Sequence, residues 1–220
     1  IRHRLMNRNK LESLPETIGN LPLLTQISMQ MNRLTSLPDS FSRLRINGLD
    51  LSDNQLVKLP ESISSLKVAH FELSNNNLTE LPKSVGTMSG ITSMRLVNNR
   101  LTSIPSLFRL TKLATLDLYY NRLTSLPSFE NLTALAHLTL FGNSLESVPD
   151  GLINCTRLIA IDISENSLLS LPENVFQGMT FLNRLSLRGN KIAKVPDSIG
   201  NAIRSEEHTY ELQSRPAISY

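Results

Sequence analysis

A single cysteine, Cys155, stands in 220 residues, so the chain can close no disulfide within itself. That scarcity leans toward a reducing compartment and leaves stability to packing. Aromatic residues make up only 5% of the chain, and tryptophan is absent. No apolar run approaches the roughly eighteen residues a membrane span needs, and no secretory-type segment is present. No glycine-rich loop followed by Lys and Ser or Thr exists to cradle a phosphate, so nucleotide binding by that route is unsupported. The net charge is a modest +3, which does not argue for nucleic acid.

What the chain has instead is repetition. The pattern Leu-x-Leu-x-x-Asn-x-Leu-x-x-Leu-Pro, seen whole from Leu116 to Pro127, recurs around Asn9, Asn32, Asn54, Asn76, Asn99, Asn121, Asn143, Asn166 and Asn190. The spacings are 23, 22, 22, 23, 22, 22, 23 and 24 residues, and a proline follows six residues after every one of these asparagines. A period in the twenties with this leucine pattern specifies a leucine-rich repeat solenoid.

Each turn opens on a short strand, where side chains alternate between faces. Leu116 and Leu118 then point inward and Thr115, Asp117 and Tyr119 outward. The same inward slots hold Leu49 and Leu51, Phe71 and Leu73, Met94 and Leu96, Leu138 and Leu140, Ile161 and Ile163, and Leu185 and Leu187. Each asparagine falls where the chain turns in and the backbone runs short of strand partners, so its carboxamide is expected to satisfy neighbouring turns. A second apolar set, such as Ile18, Leu21 and Leu24 or Leu152, Cys155 and Leu158, has the period of three that suits a short helix or 3₁₀ segment behind the strand. Strands are narrower than the segments behind them, so stacking predicts a right-handed α/β horseshoe. Its parallel sheet lines the concave face, and short helical or 3₁₀ segments form the convex one.

One domain is expected over residues 1–203: nine repeats and the start of a tenth, truncated at both ends. The chain opens inside a repeat, Arg4 fills the first inward strand slot, and neither end carries a polar capping turn. Residues 204–220 hold no leucine in register and are expected to be a non-native or disordered tail. Arg204 to Ser214 resembles the translation of a sequencing-library adapter. Without that tail the body carries 20 basic and 16 acidic residues, a net +4.

The run Leu-Pro-x-x-Ile-Gly-x-Leu-x-x-Leu, from Leu14 to Leu24, resembles the Ras-group leucine-rich repeats of intracellular signalling scaffolds. That resemblance implies a non-catalytic protein-interaction module, a cytoplasmic location, and a small GTPase or a phosphatase as partner. One turn departs: Leu171 to Leu182 looks like the 24-residue type common in receptor ectodomains. A ligand-recognition ectodomain, or a targeting arm of a larger signalling enzyme, is therefore the alternative.

Catalytic and metal-binding constellations are weak. His70 and His137 share one outward slot three turns apart, about 14 Å, too far to hold one ion. His3 lies at the opening and His208 in the tail. Asp117, His137 and Thr115 or Thr139 could form a hydrolytic triad, but an open sheet supplies no oxyanion hole. No catalytic residue, cofactor or metal is expected, nor membrane insertion by this segment. Sequons at Asn77, Asn131 and Asn154 are explained by a composition rich in Asn, Ser and Thr.

The concave outward positions are freed from the core and hold the candidate protein-binding residues. Val97, Tyr119 and Phe141 stand in one column, with Tyr120 alongside, as exposed anchors. Asp50, Glu72, Arg95, Asp117 and Asp162 form the neighbouring column, flanked by His70, His137 and Glu165. Glu72, Arg95 and Asp117 are expected to share charge, leaving Asp50, Asp162 and Glu165 unpaired. The acids around the rings would suit a partner with an apolar centre and basic flanks in the middle of the arc, while Arg184, Arg188, Lys191 and Lys194 make the last full turn basic.

Overall fold

The computed structural model describes residues 3–21 and 25–202. The predicted back-face Leu24, His208 and the segment 204–220 lie outside the described residues, as do the side chains of His3 and Arg4. Nine three-residue strands pair in chain order in one parallel sheet: β1 His3–Leu5, β2 Gln26–Ser28, β3 Gly48–Asp50, β4 His70–Glu72, β5 Ser93–Arg95, β6 Thr115–Asp117, β7 His137–Thr139, β8 Ala160–Asp162 and β9 Arg184–Ser186. Turns are numbered here after their strands. Register is unbroken, so that Leu49 faces Phe71, Phe71 faces Met94, and Met94 faces Leu116. The architecture is the expected leucine-rich repeat horseshoe.

The inward slots are filled as the alternation requires. Leu49, Leu51, Phe71, Leu73, Met94, Leu96, Leu116 and Leu118 are buried, and the core runs on through Phe129, Leu138, Ile161 and Phe176. At the two ends the inward residues Met6 and Leu185 are only half-buried, because no further described strand covers them on one side.

The asparagines form a ladder between turns. Asn54 accepts the Leu34 N–H of the preceding turn through Oδ1 at 3.0 Å. Its Nδ2 donates to Met29 O of that turn (3.0 Å) and to Leu51 O and Ser52 O of its own (both 3.1 Å). The same bonds recur at Asn76, Asn99, Asn121, Asn143, Asn166 and Asn190. Asn9, in the first described turn, is exposed and, among the described residues, donates to Met6 O and Asn7 O.

The convex side refines the expectation. 3₁₀ segments occupy Glu16–Asn20, Asp39–Arg43, Glu61–Ser65, Lys83–Thr87 and Leu152–Asn154, and a single α-turn, α1, spans Ile199–Ala202. In the first four of these, proline sits just before the segment and its carbonyl accepts the N–H three residues on, as in Ile63 to Pro60 at 3.0 Å. In turns 5 and 6 a single residue lies between Pro105 and Leu107 and between Pro127 and Phe129, so that bond is not formed. Phe129 N–H reaches forward to Asp150 O of the next turn instead, at 2.7 Å. The glycine of the Ile-Gly and Val-Gly steps has a steric cause. A Cβ on Gly86 would lie 2.0 Å from the Ser106 carbonyl oxygen.

Candidate functional site: the concave wall

Outward positions along each turn build three columns on the sheet and a fourth at its lip. The lip column is a feature the sequence pattern had not announced. Arg8, Met31, Asp53, Asn75, Asn98, Tyr120 and Glu165 all hold positive φ of 50–57°, and Gly142 and Gly189 continue the series. This left-handed step turns the chain inward so that the next residue, the ladder asparagine, points into the stack. Polar lip side chains bond turn to turn: Asn75 Nδ2 donates to Asp53 Oδ1 (2.9 Å) and Asn98 Nδ2 to Asn75 Oδ1 (3.0 Å).

Three rings gather at turns 6 and 7. Tyr119 and Tyr120 lie 5.1 Å apart, Tyr120 and Phe141 5.1 Å, and Tyr119 and Phe141 6.5 Å, all edge to face. Tyr120 is 53% exposed, while Tyr119 and Phe141 are half-buried. Gly142 makes room for this cluster: a Cβ there would come within 2.7 Å of the Tyr120 ring. Val97 does not join as an exposed anchor. It is buried, with 9% of its surface accessible, because a short side chain one turn from Tyr119 sits below the rim.

The acidic column is tied to the backbone rather than left free, which corrects the expected unpaired state. Asp50 Oδ1 accepts the Ser52 N–H (3.0 Å) and Ser52 Oγ–H (2.7 Å). Glu72 Oε1 accepts the Ser74 N–H at 2.9 Å, and Asp162 accepts both the N–H and the hydroxyl of Ser164. Each carboxylate thus caps the N–H two residues on, where the strand ladder ends. Glu165 is not unpaired either, since Arg188 Nε lies 3.9 Å from it. Arg95 pairs with Glu72 at 3.8 Å. Asp117 keeps one oxygen, Oδ1, buried without a hydrogen bond. Its burial pushes the carboxyl pKa up, opposed by the Tyr119 backbone N–H and by Arg95.

His70 and His137 are both exposed and three strands apart. Thr115 faces His137 and Asp117 faces Thr139 across β6 and β7. Among the described residues the Asp117 carboxylate takes the Tyr119 backbone N–H and leaves Oδ1 without a partner rather than bonding His137, and no three His, Cys, Asp or Glu gather to hold a metal. No helix of the described residues is long and apolar enough to cross a membrane. Cys155 is buried against Phe129 O, and burial pushes its thiol up to about 12.

The wall also holds a hollow that sequence reasoning missed. It has a volume of about 330 Å³ and is lined by β2 to β5, with Ser28, Gly48, Asp50, His70, Glu72, Ser93 and Arg95 around it. Gly48 opens it, because a Cβ there would meet nothing within 4 Å. A glycine in an outward strand slot was the one signal available.

A leucine-rich repeat family profile matches residues 89–145 and 142–192, and a second matches residues 45–66, together covering just over half of the chain. The chain belongs to the leucine-rich repeat proteins. No curated protein matches it significantly. Among solved structures, a TDR receptor is similar at 27% identity and a TM-score of 0.79, over 92% of this chain and 37% of that one. YopM from Yersinia enterocolitica WA-314 is 26% identical at a TM-score of 0.69, over 90% of this chain and 41% of that one. The Arabidopsis receptor kinase HAESA, solved with the peptide hormone IDA and the co-receptor SERK1, is 29% identical at a TM-score of 0.69, over 86% and 34%. The chain spans less than half the length of each of these three. The fold is that of a protein-binding module.

Proposed function

We propose that the chain is the repeat domain of a cytoplasmic signalling scaffold and holds a protein partner, non-catalytically, on its concave wall. The observation that carries this is the ring cluster of Tyr119, Tyr120 and Phe141, packed edge to face and standing on a sheet whose other outward residues are small or polar. Rigid aromatics on a concave surface lose little conformational freedom on binding and bury much apolar area. The Leu14–Leu24 repeat type supports the scaffold setting, with a small GTPase or a phosphatase among the candidate partners.

The test is the double substitution Tyr119→Ala with Phe141→Ala. Truncating two such anchors is expected to weaken partner binding by roughly a hundredfold, read by calorimetry against a partner captured from the native source. Unchanged affinity in a folded double variant defeats the assignment. A receptor ectodomain is the second reading, favoured by the 24-residue turn from Asn166 to Asn190 and by the similarity to HAESA, whose structure contains a peptide hormone.

A further inference from the structure

Among the described residues nothing packs over the concave sheet face, and its charge and relief are particular enough to say what would lie on it. The outward and lip positions of turns 3 to 8 hold Asp50, Asp53, Glu72, Asp117, Asp162 and Glu165 against one cation of their own, Arg95, a net −5 with histidines neutral, and Arg188 of turn 9 reaches Glu165 from the end. The whole chain carries +3. Negative charge is therefore concentrated on the middle of this face, while turn 9 of the same wall, with Arg184 and Arg188, and the remainder of the molecule are basic.

Two further features set the shape of the occupant. The hollow above Gly48 is bordered by the carboxylates of Asp50 and Glu72, with Ser28 and Ser93 beside them, while His70 and Arg95, the latter already paired with Glu72 at 3.8 Å, stand on the same rim. A long cationic side chain could lay its stem along the apolar part of the lining, beside Ile27, Leu49 and Phe71, and present its head to the Asp50 carboxylate. The ring cluster, by contrast, offers apolar edges. From the hollow, between β3 and β4, to the rings, between β6 and β7, is three strand spacings, or about 14 Å. An extended chain covers that in about four residues at roughly 3.3 Å each.

Resting on the reading that this wall binds protein, we infer that the partner contributes an extended cationic segment running across the strands, with a Lys or Arg in the Gly48 hollow and an apolar residue about four positions away against Tyr119 and Phe141. Charge complementarity selects this occupant over an acidic one, because an anionic segment would face six carboxylates.

The experiment uses the full chain and short fluorescent peptides carrying one Arg and one Phe at separations from two to eight residues, with Glu replacing Arg in a parallel set. Binding is expected to peak near a separation of about four, to be absent in the Glu set, and to weaken as salt rises from ~50 to ~300 mM. Gly48→Leu fills the hollow from an open strand position and is expected to cost roughly tenfold in affinity, with the circular dichroism spectrum unchanged. Asp50→Asn provides a second, smaller change with less steric consequence. If Gly48→Leu, Asp50→Asn and salt leave binding untouched while the Tyr119 and Phe141 double variant abolishes it, the cationic occupant is wrong and the concave-face reading stands. If the double variant also leaves binding intact, both fail. Equal binding of the Glu set, or no binding by any Arg peptide, overturns the inference outright.

Discussion

A ladder asparagine does at one residue what a strand pair does over several. Asn99 accepts the Leu78 N–H and donates to Leu73, Leu96 and Val97 carbonyls, all in a buried setting. Asn99→Ala leaves those groups unpaired, at roughly 1–3 kcal/mol for the worst of them, so urea unfolding should show about 3 kcal/mol lost. Asn9→Ala touches only exposed bonds and should change stability by less than about 0.5 kcal/mol. Asp117 behaves in the opposite sense. Its folded pKa is raised above 3.8, so the folded state holds its proton more tightly than the unfolded chain does. Folding is therefore favoured below pH 3.8 and loses that contribution as pH climbs through the folded value. Asp117→Asn should stabilise the protein at pH 7, with the gain shrinking toward pH 3.8 and gone below it, as read from denaturation midpoints across that range. The inward leucines and the asparagines were legible in the sequence because they recur in phase. The serine N–H caps of Asp50 and Asp162, the burial of Val97 and the Gly48 hollow were not, because outward residues vary from turn to turn and reveal no period.

At the scale of the element, the back of each turn is set by how many residues separate proline from the first buried side chain. Two permit the proline-carbonyl bond seen at Pro60 and Ile63; one, as after Pro105 and Pro127, does not. A leucine count alone saw an apolar period of three and expected the same segment everywhere. Glycine beside that first buried residue lets the following turn approach. Gly86→Ala would push a methyl into the Ser106 carbonyl and should cost roughly 1–3 kcal/mol in thermal or urea unfolding. Gly200→Ala, where an added Cβ meets nothing within 4 Å, should be neutral or stabilising by up to about 1 kcal/mol. An equal penalty at both positions would show that close approach is not what the glycine serves.

For the whole molecule, the two faces carry different duties. The sequons at Asn131 and Asn154 fall on the convex side, where both asparagines are exposed, so glycans there would leave the concave wall clear. A cytoplasmic scaffold should carry none. Full-length protein from its native source is therefore expected to keep its electrophoretic mobility after N-glycosidase treatment, and a shift would move it to the receptor reading. Stacking has one more consequence. Each carboxamide asks the coil before it only for one carbonyl and one N–H, both of the backbone, never for a particular side chain. A whole coil can thus be deleted or duplicated by unequal recombination and the seam will re-form. Wall length and the order of surface residues are then free to evolve in steps that leave the interior untouched.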